Sequence, residues 1–209
     1  KACAGLPVAK NLLGRNFEVA GLNKVWVSDI TYIPTAEGWL YLAVIMDLCS
    51  RKIVGWAMSG WLGTQLLLRA FAMAVLGRRP PKGLLFHSDR GSQYAGHSFR
   101  EALQRAGMRQ SMSRKGDCWD NAPSESWFKT LKSELLQGRK AFASRLAARG
   151  EIFEYVEVFY NRQRLHSSLG NLTPIEFEQA LEGGCLDITQ CEDVRVRPST
   201  EMVSQESTA

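Results

Sequence analysis

Residues 24–59 read KVWVSDITYIPTAEGWLYLAVIMDLCSRKIVGWAMS, and the strands in this stretch decide the fold. KVWVSDITY, Lys24 to Tyr32, is β-branched and aromatic, which is strand composition, and Pro34 is expected to close it. WLYLAVIMD, Trp39 to Asp47, is almost wholly apolar, as a central strand covered on both faces would be. CSRK has turn character and leads into a third strand, Ile53 to Ser59, so the second and third strands form an antiparallel hairpin.

Outward from this stretch the pattern changes period. Gly63 and Thr64 open a helix over about Gln65 to Leu76, stopped by Gly77 and the Pro80-Pro81 pair. A short apolar strand, Gly83 to His87, follows and ends at Ser88-Asp89. Ser98 to Ala106 reads as a helix closed by Gly107, and Met108 to Met112 as another short strand. A helix then runs to about Leu136, with Pro123 in its first turn and Asp120 or Asn121 as its cap. Further helices span about Ala143 to Tyr160 and from Thr173-Pro174 to near Gly183-Gly184. The order predicts an α/β fold, a mixed sheet flanked by helices with an antiparallel hairpin at its start. Residues 1–22, with Gly5, Pro7, Gly14 and Gly21, read as a linker, residues 23–183 as one core with its C-terminal helices, and residues 184–209 as a polar, frayed tail. The chain begins with Lys1 rather than Met, as a processed chain or a piece of a longer one would.

With 45% hydrophobic and 22% charged residues among 209, the composition argues against disorder and collagen-like chains. No apolar run reaches the roughly 18 residues of a membrane span, and the first residues lack the apolar stretch of a signal peptide. The expectation is a soluble, cytoplasmic protein. Cys3, Cys49, Cys118, Cys185 and Cys191 form no CxxC pair and read as reduced thiols, and His97 and His166 are not spaced with them in any zinc pattern. The net charge of +5 is uneven. Residues 1–99 carry 11 Lys/Arg against 5 Asp/Glu, residues 100–149 carry 11 against 5, and residues 150–209 carry 4 against 11. A basic field over the first three quarters invites a polyanion such as nucleic acid.

Three carboxylates stand out by position. Asp29 lies in the first strand, Asp89 follows the fourth in FHSDRGSQY, and Glu125 sits in the first turn of the helix NAPSESWFKTLKSEL. Adjacency of the first and fourth strands would aim Asp29 and Asp89 at one point, and a helix packed across the sheet would bring in Glu125. Three such charges repel unless a divalent cation neutralises them. Mg²⁺ or Mn²⁺ suits hard oxygen ligands, and a pair of ions about 4 Å apart supports in-line phosphoryl displacement. Taken singly, each acid has an ordinary reading: a solvated strand residue, a turn residue, and an acid favoured by a helix N-terminus.

Over about Pro7 to Glu178 the sequence resembles the integrase-core transposases of bacterial insertion sequences, specifically the second-reading-frame product of the insertion-sequence three family. WVSDITYIPT, LYLAVIMDLCSRKIVGWAMS, LLFHSDRGSQYA, SMSRKGDCWDNAPSESWFKTLKSEL and FYNRQRLHSSLGNLTPIEFE carry the resemblance. It implies a ribonuclease H-like, retroviral integrase-like fold and a DDE triad at Asp29, Asp89 and Glu125. Thirty-five residues separate Asp89 from Glu125, the spacing these enzymes share with retroviral integrases. It also implies divalent-metal hydrolysis at element ends and strand transfer into target DNA, assembly as a homo-oligomer on DNA, and association with the bacterial nucleoid. Helix-turn-helix segments, supplied by an upstream-frame product or a fused N-terminal extension, are expected as partners, since none fits before Asp29. This chain alone is then expected to bind DNA weakly and nonspecifically.

Lys129 and Lys132 lie roughly 40° and 20° from Glu125 around the helix, sharing its face, while Phe128, Leu131 and Leu135 form the burying stripe. Lys132 matches the family's basic residue seven after the glutamate. Both lysines are expected to reach DNA phosphates, although an exposed lysine face is the plain alternative. Arg90, Arg114 and Lys115 are further candidates for the DNA backbone. Trp119 is placed to stack on a base or to pack, and His87 to support the metal site or sit satisfied at a strand end. Asp47, ahead of Ser50-Arg51, reads as a hairpin or ion-pair residue. Arg162 and Arg164 are expected to cap the helix ending in YNRQRLH, with DNA or subunit contact as the competing role. Two other functions compete with transposition: a ribonuclease H-type nuclease that cuts without joining, and an inactive remnant that binds DNA or a partner transposase.

Overall fold

In the computed structural model, which describes residues 5–184 apart from the side chain of Cys118, β1 (Val25–Thr35) and β2 (Gly38–Asp47) pair antiparallel from Trp26↔Asp47 to Thr35↔Gly38. β3 (Ile53–Ser59) continues the antiparallel run on β2. β4 (Leu85–Ser88) lies parallel to β1, and β5 (Arg109–Met112) parallel to β4. The sheet is mixed, in the order β3-β2-β1-β4-β5. β2 earns its central place by composition: Leu40, Leu42, Val44 and Met46 enter one core, Ala43 and Ile45 the other.

Pro34 does not close β1, which continues to Thr35. The Pro34 carbonyl accepts from the Phe142 N–H at 2.9 Å, on the side away from β2. N–H and C=O of one strand residue point the same way, so the N–H that proline lacks is absent from that outer side and the hairpin loses no bond.

α1 (Thr64–Arg78), the short α2 (Ser92–Ala95) and α3 (His97–Arg105) cover one face, with Leu67, Phe71, Tyr94 and Phe99 packed around Trp26, Ile45 and Phe86. α2 has no counterpart in the sequence reading. Gly55 of β3 admits α1 at close range: a Cβ there would stand 2.3 Å from the Ala70 carbonyl oxygen. α4 (Ala122–Leu136) and α5 (Arg145–Glu154) cover the other face, where Trp127, Phe128, Leu131 and Ile152 join Val27, Leu42 and Val44. α5 runs on as a wide π turn over Tyr155–Tyr160. α6 (Pro174–Glu182) starts at Thr173 with both bonds of a capping box in place. Its buried Glu178 accepts from Ser50, Lys52 and Arg78, fastening α6 to the β2–β3 turn and the end of α1.

Before β1, the buried Leu13 packs into the α4 side of the core, and the Leu12 and Leu13 N–H groups donate to Ser111 of β5. Of the residues read as a polar tail only Gly184 is described; the rest, with Cys3, Cys185 and Cys191, lie outside the described residues. No described helix is long and apolar enough to cross a membrane.

Candidate active site

β1 and β4 run parallel with Ser28 opposite Ser88, so Asp29 and Asp89 leave the two strands at one level. Side-chain alternation places Asp29 on the Val27 side of the sheet, the side α4 covers. Glu125 lies in the first turn of α4. Asp29 is half-buried, and its Oδ1 accepts from the Ile30 N–H at 2.7 Å. Burial first, then the charge of Asp89, pushes its carboxyl up to about 7; Glu125 adds to this, while the Ile30 hydrogen bond and Lys132 oppose it. Desolvation raises Asp89 and Glu125 as well, and the Gly91 N–H, 2.9 Å from Asp89 Oδ1, partly offsets this for Asp89. A Cβ at Gly91 would stand 3.0 Å from the same oxygen, so a larger residue there would crowd the Asp89 carboxylate.

The acidic groups thus share one electrostatic field. Among the described residues no three His, Cys, Asp or Glu side chains are gathered closely enough to hold a metal ion. Glu125 is exposed and accepts no hydrogen bond from the described residues, so its oxygens face solvent.

Neither Asp120 nor Asn121 caps α4 through its side chain, contrary to the sequence reading. The Asn121 amide instead donates to the Ser28 carbonyl at 3.2 Å. The buried Asp120 carboxylate is turned into the preceding loop, where it accepts from the Arg114 backbone at 2.8 Å and from the Arg114 guanidinium at 2.8 and 3.0 Å. Arg15 and Asn11, from ahead of β1, each reach the same carboxylate at 2.9 Å. The Arg114 side chain above all holds this carboxyl far below the usual carboxylate range, against desolvation. The Asp120 side chain does not cap α4 because donors from three residues outside α4 converge on its carboxylate.

His87 is fully buried and satisfied. Ser111 Oγ accepts from the Leu12 and Leu13 N–H groups, so its own proton goes to His87 Nδ1 at 2.8 Å. Nε2 then carries the ring proton and donates to the Asp120 carbonyl at 2.9 Å. Burial lowers the His87 pKa, keeping the ring neutral.

Of the basic candidates, Lys132 is half-buried, with a pKa lowered by desolvation and raised in part by Asp29, and Lys129 is exposed. Arg114 is committed to Asp120 and Asp117, and Arg90 Nε donates to the Ser113 carbonyl at 2.6 Å. Lys115 is exposed on the same loop. Trp119 does not pack: it is 68% exposed. Asp47 is buried opposite Trp26 at the start of β1, accepting from the Asn23 and Cys49 N–H groups and lying 3.7 Å from Arg78, so it belongs to the hairpin.

The YNRQRLH segment is tied down residue by residue. Tyr160 donates to the Arg51 carbonyl, and the buried Asn161 amide bonds both the N–H and the C=O of Ile53, satisfying the edge of β3. Arg162 donates to the Glu157 carbonyl, as a helix-end cation would, but Arg164 pairs with Glu134 of α4 instead. Asn161 and Trp127, both central to this side, carried no sequence signal beyond membership of the resembling stretches.

A five-stranded mixed sheet with helices on both faces, carrying one acid within β1, one just past the end of the adjacent β4 and one on the helix across them, is a ribonuclease H-like domain of the integrase-core class. The sequence matches the Integrase core domain over residues 20–118 and again over residues 106–174. The chain belongs to the integrase-core transposases of the IS3 insertion sequences. It is 49% identical over 174 residues to the insertion element IS600 uncharacterized 31 kDa protein of Shigella sonnei, covering 83% of this chain and 64% of that protein. Identity to the transposase InsF for insertion sequence IS3A of Escherichia coli (strain K12) is 47% over 174 residues, covering 83% and 60%. The chain therefore spans under two thirds of the length of these relatives. In fold it is similar to the HTLV-2 integrase catalytic core domain in complex with magnesium, with TM-score 0.56 and 17% identity over 75% of this chain and 96% of that one. A chain of the simian T-cell lymphotropic virus intasome in complex with PP2A regulatory subunit B56 gamma gives TM-score 0.62 at 15% identity, covering 97% and 65%.

Proposed function

We propose that this chain is the catalytic core of a DDE transposase, with Asp29, Asp89 and Glu125 as its reacting-centre carboxylates. The observation that carries the reading is the placement of Asp29 and Asp89 just past the paired Ser28 and Ser88 of β1 and β4, with Glu125 in the first turn of α4, which packs on the same side of the sheet as Asp29. All three donors are hard carboxylate oxygens, which fit Mg²⁺ or Mn²⁺. Bound divalent ions, two in number, supply activation of a water or 3′-hydroxyl and neutralisation of the leaving oxygen. The magnesium in the HTLV-2 integrase core supports this choice of metal.

The protein's own residues prepare the site. Asn121 and the Asp120 network hold the start of α4 against β1, Gly91 leaves room for the Asp89 carboxylate, and Lys132 offers a cation to a strand lying across the acids. Hydrolysis of a phosphodiester at an element end frees a 3′-hydroxyl, which then attacks a target strand. The attacking groups are water and DNA, so no covalent protein–DNA intermediate forms. The partners are element ends and target DNA, further copies of the chain to hold two ends together, and a helix-turn-helix segment from an upstream-frame product or an N-terminal extension.

A gel assay with a pre-cleaved, labelled element end and Mn²⁺ tests the reading. Joined products are expected. Nicks alone would make the chain a nuclease, and a mobility shift alone a DNA-binding remnant. Asp89→Asn and Glu125→Gln should fold and bind DNA yet lose cleavage in Mg²⁺; cleavage at the wild-type rate in either variant would remove that residue from the triad.

A further inference from the structure

Between α4 and the YNRQRLH segment lies a cavity of about 220 Å³ whose wall includes Arg51, Ser126, Trp127, Thr130, Arg164 and His166. A water takes about 30 Å³ in the liquid, so the space holds a group the size of a phosphate. Two buried ring nitrogens on this wall, Trp127 Nε1 and His166 Nε2, have no hydrogen-bond partner. Trp127 is only 4% exposed, and an indole N–H at that depth normally finds an acceptor.

The charge around the cavity is unbalanced in the same direction. Arg164 is matched by Glu134 at 3.1 Å. Arg51 is half-buried, donates to the Phe17 carbonyl at 3.3 Å, and forms no ion pair among the described residues. Burial lowers its pKa, and Tyr160, Cys49 and the more distant Asp47 carboxylate oppose this only in part. Burial and the charges of Arg164 and Arg51 push His166 down to about 4, with Glu134 opposing, so the ring is neutral and its Nε2–H tautomer offers a donor. Donors without acceptors, around a spare guanidinium, call for an anion.

We propose that this cavity binds a phosphate group, and that the phosphate is one in the backbone of the DNA strand engaged along α4. Ser126 on its wall follows Glu125 directly, about 100° further around the helix, so one strand passing over α4 reaches both. The DNA source of the phosphate rests on the transposase reading; the anion site itself does not.

The test follows the imidazole resonances of the three histidines in the full chain by NMR. Inorganic phosphate should shift His166 and raise its pKa from about 4, leaving His87 and His97 in place. Arg51→Gln should weaken this response at least roughly tenfold, the worth of one charge-assisted hydrogen bond. Ser126→Glu, an exposed change that adds a carboxylate to the wall, should abolish it and keeps the test open should Arg51→Gln misfold. A short DNA duplex should move the same resonance. DNA that is bound and cleaved without moving His166 would overturn the cavity proposal and leave the transposase reading intact. A phosphate response with no DNA response would overturn the assignment to DNA, and no response to either would overturn the anion site.

Discussion

The Asn121 side-chain amide donates to the Ser28 carbonyl at 3.2 Å, joining the residue before α4 to the residue before Asp29. Glu125 rides on that junction, so this neutral hydrogen bond joins the Asp120 network and the core packing of α4 in setting its position relative to Asp29. Asn121→Ala should cost only about 1 kcal/mol of stability. Cleavage should fall further, by about tenfold to a hundredfold, because an ångström of misplacement is felt strongly at a reacting centre. Thermal melting and single-turnover nicking check the pair of values, and nicking at the wild-type rate would show that the junction does not position Glu125.

Asp120→Asn tests the loop network, and its pH dependence has a definite sign. The carboxyl's folded pKa is depressed, chiefly by Arg114, so its contribution is fully present above the unfolded value of about 3.9 and is lost as pH falls from there toward the folded value. The variant should melt several degrees below wild type at pH 7, and the gap should close below about pH 4. A gap that stays constant from pH 7 to pH 3 would contradict the assignment.

Gly55→Ala places a methyl 2.3 Å from the Ala70 carbonyl oxygen and 2.7 Å from the Ala74 Cβ. Backbone of α1 would have to retreat from β3, and overpacking of this kind costs about 1–3 kcal/mol. Urea unfolding should show a lower midpoint at unchanged slope.

Lys132→Ala should weaken DNA binding and reduce the slope of log affinity against log salt by about one, the signature of one lost phosphate contact. Lys129→Ala serves as the comparison on the same helix. A Lys132 variant with an unchanged slope would place its ammonium off the DNA.

Much of this architecture was legible because it is written in periodicity. The unbroken apolar run of β2 announced a strand covered on both sides, and the Phe128–Leu131 stripe announced the buried side of α4. The adjacency of β1 and β4 was legible only as a condition, and it holds with Ser28 opposite Ser88. What escaped reading depended on partners far away in sequence. Asp120 looks like a helix cap until Arg15, from ahead of β1, arrives at its carboxylate. Arg114, a candidate for the DNA backbone, carries no local sign that its guanidinium also pairs with the same carboxylate. Pro34 reads as a strand terminator unless Phe142 is known to lie along the outer side of β1. Buried Asn161 has no local signature, since its partner Ile53 lies 108 residues away.

The wide turn at Tyr155–Tyr160 amounts to one residue inserted into an otherwise α-helical run. Five apart, Tyr155 and Tyr160 stack at 6.2 Å and both rings contact Trp127. Deleting one residue there would restore ordinary helical phase and rotate everything beyond it by about 100°. Asn161 would swing off Ile53 and Arg164 off Glu134 in a single step, opening the β3 edge and dismantling one wall of the cavity together. The edge of the sheet and the flank of α4 are thus kept in step by a single-residue insertion, a coupling that side-chain substitution in this turn would leave intact and a one-residue deletion would break.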